Sequence, residues 1–189
     1  MSPTLNVAVL VGSLRKESFS RKIARALIAL APDPLHLEIL EIGQLALYNP
    51  DDDEDAGQVP APWAAFRRAV GAADAVLFVT PEYNRSVPAA LKNALDVASR
   101  PYGRNLWDGK PGAVVSVSPG ALAGFGANHH LRQSLVFLNV PAMQQPEAYL
   151  GRVDTLLDPA GNLASDGTRT FLAGFLQAFA AWIQANRKA

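Results

Sequence analysis

Short apolar runs alternate with longer amphipathic stretches along this chain. Leu5 to Val11 is aliphatic and β-branched and stops at Gly12, which predicts a buried strand. Phe19, Ile23, Leu27 and Leu30 follow at spacings of four, four and three, one face of a helix. Pro32 and Pro34 end that helix, and Leu35 to Leu40 alternates as a second strand. Trp63 to Ala72 reads as a helix and Ala75 to Val79 as a third strand. Val87 to Ala98 reads as a helix with Leu91, Ala94, Leu95 and Ala98 on one side. Gly112 to Val117 is a fourth strand, and Gly124 to Leu138 a helix carrying Leu131, Leu135 and Leu138. Val140 to Met143 is the expected fifth strand. Thr168 to Ala185 is the last helix, with Phe171, Phe175, Phe179, Trp182 and Ile183 as its apolar positions.

Strands and helices that alternate with short links imply an α/β fold with a parallel sheet. Its crossovers are right-handed, so helices cover both faces. Five strands and five helices suit a single flavodoxin-like, doubly wound domain over residues 1–189, with strand order 2-1-3-4-5. Such folds bind ligands at the carboxyl ends of the strands, where the order reverses. The loops after the first, third and fourth strands are therefore the candidate site.

Composition narrows the function. The chain has 189 residues, 49% of them hydrophobic and 18% charged, which fits one globular domain rather than a disordered chain. Seventeen basic residues balance seventeen acidic ones. That argues against a dedicated nucleic-acid binder, which normally needs a basic face, and against a strongly acidic electron carrier. The absence of cysteine excludes disulfides, thiolate nucleophiles, iron–sulfur clusters and cysteine zinc sites, and suits a reducing compartment. No apolar run approaches the ~18 residues of a membrane span. Met1 to Asn6 lacks a positive n-region, and Val7 to Val11 is too short for a signal sequence. The expectation is a soluble cytoplasmic protein. The acidic run Asp51 to Asp55 fails as a calcium loop, because Gly57 is misplaced and no glutamate closes it; a solvated loop is expected.

The first loop reads Gly12-Ser13-Leu14-Arg15-Lys16-Glu17-Ser18-Phe19-Ser20. It is neither a P-loop nor G-x-G-x-x-G. Its hydroxyls, the planar fork of Arg15 and the start of a helix suit a phosphate monoester. A plain helix cap from Ser18 or Ser20 is the alternative. The loop after the third strand reads Thr80-Pro81-Glu82-Tyr83-Asn84-Arg85-Ser86-Val87-Pro88, with Ser86 as a credible N-cap. It offers amides, a ring and a side-chain amide to a flat heteroaromatic ligand, or forms an ordinary turn.

Together these loops, with Leu91-Lys92-Asn93-Ala94-Leu95-Asp96 after the second, resemble the NADPH-dependent FMN reductase family, and most closely its chromate/quinone reductase branch. Ser118-Pro119-Gly120 is similar to the third flavin loop of that family, and His130-Leu131-Arg132-Gln133 to the helix after it. The resemblance covers nearly the whole chain. It implies FMN, with Ser13, Arg15, Ser18, Phe19 and Ser20 around the phosphate. Pro81, Glu82, Tyr83 and Asn84 would border the isoalloxazine, Arg85 its rim, and Ser118 would reach it from the third loop. Backbone amides of residues 82 to 84 would bond near N5 and O4. The resemblance further implies NADPH or NADH as co-substrate, a small-molecule electron acceptor such as a quinone, azo or nitro compound or chromate, and a ping-pong order of reaction. It implies a homodimer or homotetramer. Two departures bear on this. Glu17 replaces a frequent glycine and should point away from a phosphate. Gly126 and His129 stand where relatives often carry an arginine and a tyrosine that help hold a tetramer.

His129 and His130 are adjacent, so a helix turns them about 100° apart, unlike a metal-ligating pair. They read as surface or interface residues. His36 has no motif around it, and Trp63, Trp107 and Trp182 read as packing residues. Rival functions on the same residues are an FMN reductase that releases reduced flavin, a flavodoxin-like electron carrier, and a flavin-free interaction domain.

Overall fold

Side chains along a strand alternate between its two faces. In β1 (Leu5–Val11) this sends neighbouring residues into different cores. Val7, Val9 and Val11 join one apolar cluster, while Ala8 and Leu10 join another. The computed structural model describes residues 3–54 and 59–187. Within it β2 (Leu35–Leu40), β3 (Ala75–Thr80), β4 (Gly112–Val117) and β5 (Ala148–Leu150) complete a five-stranded sheet in the order β2-β1-β3-β4-β5. Every pairing is parallel.

Helices α1 (Phe19–Leu30) and α6 (Asp166–Asn186) cover the first face, through Ile23, Leu27, Phe175 and Phe179. Helices α3 (Ala61–Ala72), α4 (Ala89–Ala98) and α5 (Phe125–Phe137) cover the second, through Trp63, Leu91 and Leu131. Each such buried side chain contributes about 1.5–3 kcal/mol. Trp63 and Trp107 are fully buried, and their ring N–H groups donate to Ala46 O at 3.1 Å and Leu95 O at 2.9 Å. Trp182 is half-buried and donates to Pro141 O.

The fold class stands as expected, and four local readings change. The fifth strand is Ala148–Leu150, not Val140 to Met143. Pro141 has no N–H to give a ladder, and Ala142 makes only an isolated bridge to Gly112. Ser86 does not cap α4. The N-cap is Pro88, which has no side-chain bond to give, and Ser86 Oγ instead meets His130 Nδ1 at 3.1 Å. Phe171 is exposed, and Leu172 and Leu176 fill the face of α6 beside Phe175. The described residues hold six α-helices rather than five, because Asp51–Glu54 forms a one-turn helix, α2, instead of a loop. Arg67 secures it with a bidentate pair to Asp53, both contacts at 2.7 Å. Asp55, Gly57 and Met1, which the sequence reading also used, lie outside the described residues.

Candidate cofactor site

Parallel pairing sets the carboxyl ends of β1, β3 and β4 side by side, with Val11 opposite Val79 and Thr80 opposite Ser116. The loops that leave them must therefore meet. Gly12 N donates to Val79 O at 3.0 Å. A Cβ at Gly12 would lie 2.9 Å from Thr80 Oγ1 and 3.1 Å from Pro81 Cδ, so only glycine allows the first two loops this approach.

In the first loop Ser18 Oγ accepts from Arg21 N at 3.1 Å and caps α1. The cap reading is thus realised by Ser18. Ser13 is 4% exposed and Ser20 1%, and neither hydroxyl bonds another described residue. Their oxygens are not sealed from solvent, and hydroxyls so placed beside a helix start are available to an anion. Arg15 is exposed at the same loop. Phe19 packs on the first core cluster, with Lys22 Nζ 5.9 Å from its ring. The Glu17 carboxylate is taken by Lys22 Nζ at 2.8 Å, and that bond lowers its pKa.

The second loop is a tight hairpin. Tyr83 and Ser86 exchange both backbone bonds, at 3.1 and 3.0 Å, around Asn84 and Arg85. Both central residues are left-handed, with φ of 50° and 64°, as a type I′ turn demands. The turn consumes the Tyr83 amide, whereas the Glu82 and Asn84 amides make no backbone bond among the described residues. Pro81 is half-buried, and the Tyr83 ring is 47% exposed. The Glu82 carboxylate reaches both helix α5 and the turn. Its Oε2 accepts from Ala127 N at 3.0 Å, and Oε1 lies 3.6 Å from Arg85 Nη1.

In the third loop Ser118 Oγ accepts from Gly120 N at 3.0 Å, which fixes the turn. Ser118 is half-buried. Beneath it runs a buried chain: Ser116 Oγ donates to Ala123 O at 2.7 Å, and Arg132 bonds both Asn128 Oδ1 and Met143 O.

The sequence reading missed two groups. One is the contact between Glu82 and Ala127, together with Gly126, where a Cβ would fall 2.8 Å from Arg85 O. The other is an aromatic cluster beyond the third loop. Tyr149 donates to Glu147 Oε1 at 2.7 Å, and its hydroxyl lies 3.1 Å from His129 Nε2. Phe125 packs on the His129 ring at 4.1 Å between centroids. Burial, and then the Glu147 bond, push the Tyr149 pKa up to about 12. His129 and His130 are both exposed and reach different partners, Tyr149 and Ser86.

A doubly wound sheet in this order, with three loops meeting at the carboxyl ends of its strands, defines a flavodoxin-like fold. The chain belongs to the NADPH-dependent FMN reductase family, whose pattern residues 5–155 match. It is 60% identical over 187 residues to a quinone reductase of Pseudomonas putida, covering 99% of both chains. It is 44% identical to a 2-hydroxy-1,4-benzoquinone reductase of a Burkholderia species, covering 97% of this chain and 98% of that one. Among solved structures it is similar to a flavoenzyme NAD(P)H:(acceptor) oxidoreductase of Paracoccus denitrificans. That match has 40% identity and a TM-score of 0.90, over 98% of this chain and 100% of the other.

Proposed function

We propose that the protein is an FMN-dependent NAD(P)H oxidoreductase that reduces quinones and related acceptors. The observation that carries this reading is the pair of serines, Ser13 and Ser20, of low exposure, whose hydroxyls bond no other described residue where three loops meet. The residues fit the group. A phosphate would satisfy those hydroxyls, the first-turn amides of α1 and the Arg15 fork. When bound, FMN supplies hydride acceptance and donation at its N5.

The chain's own work is to hold and shield. Ser13, Arg15, Ser18 and Ser20 retain the phosphate, and Phe19 anchors their loop to the core. The free amides of Glu82 and Asn84 donate to the ring edge. Pro81, Tyr83 and Arg85 form its border, and Ser118 closes the third side. No described side chain is needed to pass a hydride, so NAD(P)H and acceptor take turns at one open face. A quinone of two-electron chemistry suits this arrangement. The family resemblance supports a homodimer or a homotetramer, and Gly126 and His129 stand where relatives often carry residues that help hold the tetramer. No helix among the described residues is long and apolar enough to cross a membrane. The lack of cysteine fits a cytoplasmic setting.

The test is a visible spectrum of the purified protein under nitrogen. Flavin bands that bleach with NADPH or NADH and return with a quinone are expected. Bands that persist with both dinucleotides would mark an electron carrier. Colourless protein that does not bind added FMN would overturn the reading.

A further inference from the structure

Helix α1 carries a stripe of cations that the proposed function leaves unused. Between α1, the 158–163 turn and the start of α6 lies a cavity of about 440 Å³. That is within the range of small-molecule sites. Its apolar lining is mostly small: Ala26, Ala29, Leu30, Ala160 and Leu163. Its rim carries Lys16, Arg21, Lys22, Arg25 and Arg169 against the single carboxylate of Glu17.

Three of those cations are already engaged. Glu41 holds Arg21 with two contacts at 2.7 Å, Glu17 holds Lys22 at 2.8 Å, and Arg169 donates to Leu163 O at 2.6 Å. Lys16 and Arg25 form no hydrogen bond or ion pair among the described residues, although the charge of Arg25 is felt by Glu17 and Glu41. The facing wall is fixed in advance. Asp158 accepts from Asn162 N at 2.8 Å and from its side-chain amide at 3.1 Å. The stem of Lys22 lies against Gly161. Ser18, the cap of α1, lines the mouth. The groove therefore begins at the loop assigned to the flavin phosphate and continues down the helix.

We propose that this groove binds the phosphorylated adenosine end of a dinucleotide, with the base on the alanine and leucine lining and a phosphate against Arg25 and Lys16. Alanine and leucine side chains among the cations suit a ligand with an apolar face as well as a charge, and a purine nucleotide has both. Two unpaired cations at its rim complete the recognition of a nucleotide. The same chemistry belongs to the 2′-phosphoadenosine of NADPH and to the ADP half of FAD. The naming of these two rests on the proposed function; the groove does not.

Isothermal titration of the purified protein with adenosine 2′,5′-bisphosphate and with ADP tests this, using the wild type and the exposed-site variants Arg25→Glu and Arg25→Lys. The wild type should bind. Arg25→Glu should weaken binding by about tenfold or more, and Arg25→Lys should retain most of it. Tighter binding of the bisphosphate, with a KM rise for NADPH and not NADH in Arg25→Glu, assigns the groove to NADPH. Equal binding, with FAD held more tightly than FMN, assigns it to FAD. FMN affinity should be the same in all three proteins. Absence of binding at millimolar nucleotide, or equal binding to Arg25→Glu, would overturn the proposal. Nucleotide binding that depends on Arg25 in a protein without flavin chemistry would sink the proposed function and leave the groove standing.

Discussion

Glu82 Oε2 accepts the backbone N–H of Ala127 at 3.0 Å, across 45 residues of sequence. Helix α5 starts at Gly124, which has no side chain to cap it, so the loop after β3 supplies the cap instead. The carboxylate also faces the positive end of the helix. Glu82→Ala should lower the stability of flavin-free protein by about 1–2 kcal/mol. Glu82→Gln keeps an acceptor and should lose less. Urea denaturation midpoints decide this; an unchanged midpoint for Glu82→Ala would show that the cap contributes nothing.

Arg85 occupies a left-handed position, with φ of 64°, that favours glycine. Comparison of Arg85→Gly with Arg85→Ala isolates this strain, because both lose the ion pair to Glu82. Arg85→Gly should be the more stable by about 1 kcal/mol. Equal stabilities in denaturant would contradict the type I′ turn.

Gly126 tests the same junction from the helix side. In an exposed helix, Gly→Ala normally stabilises by up to about 1 kcal/mol. At Gly126 the added methyl would meet Arg85 O at 2.8 Å and Glu82 Oε2 at 2.9 Å, and backbone yields little. Gly126→Ala should therefore destabilise the fold and weaken FMN retention. Gly174→Ala in α6, with nothing within 4 Å, should stabilise it. Thermal melts of the pair should move in opposite directions.

Tyr149 is held neutral by burial first and by Glu147 second, with a pKa of about 12 against the usual 10.0. The raised value means that its contribution to stability is full below pH 10 and is lost as pH rises toward 12. In an absorbance titration of tyrosinate, Tyr149→Phe should remove the most alkaline part of the curve. Glu147→Gln should shift that part only partway down, since burial remains. A titration curve unaltered in its alkaline limb by Tyr149→Phe would refute the assignment.

The strand order was legible because β1, β3 and β4 are almost wholly buried and read as apolar runs interrupted only by Asn6, Thr80 and Ser116. The cap at Ser18 was legible because its partner, the Arg21 N–H, lies only three residues on. β5 was not. It has three residues, and its place is set by pairing with Val115 to Val117 rather than by any pattern of its own. The more apolar Val140 to Met143 drew attention away from it, although Val140 serves the second core as a packed side chain. The role of Glu82 was equally hidden, since its partner lies in another element and only the crossover brings them together. The same holds for Ser86, whose hydroxyl goes to His130 on α5 rather than to its own helix.

The alternation in β1 makes the sheet a partition. Val9 and Leu10 are adjacent in the chain, yet a void opened beneath one borders none of the side chains around the other. The three loops, however, spring from the rim of that partition and are gripped from both sides, by α1 on one and α5 on the other. Ligand retention is then a single gauge for two separate interiors: it registers a fault in either, and a variant that keeps its cofactor has kept both.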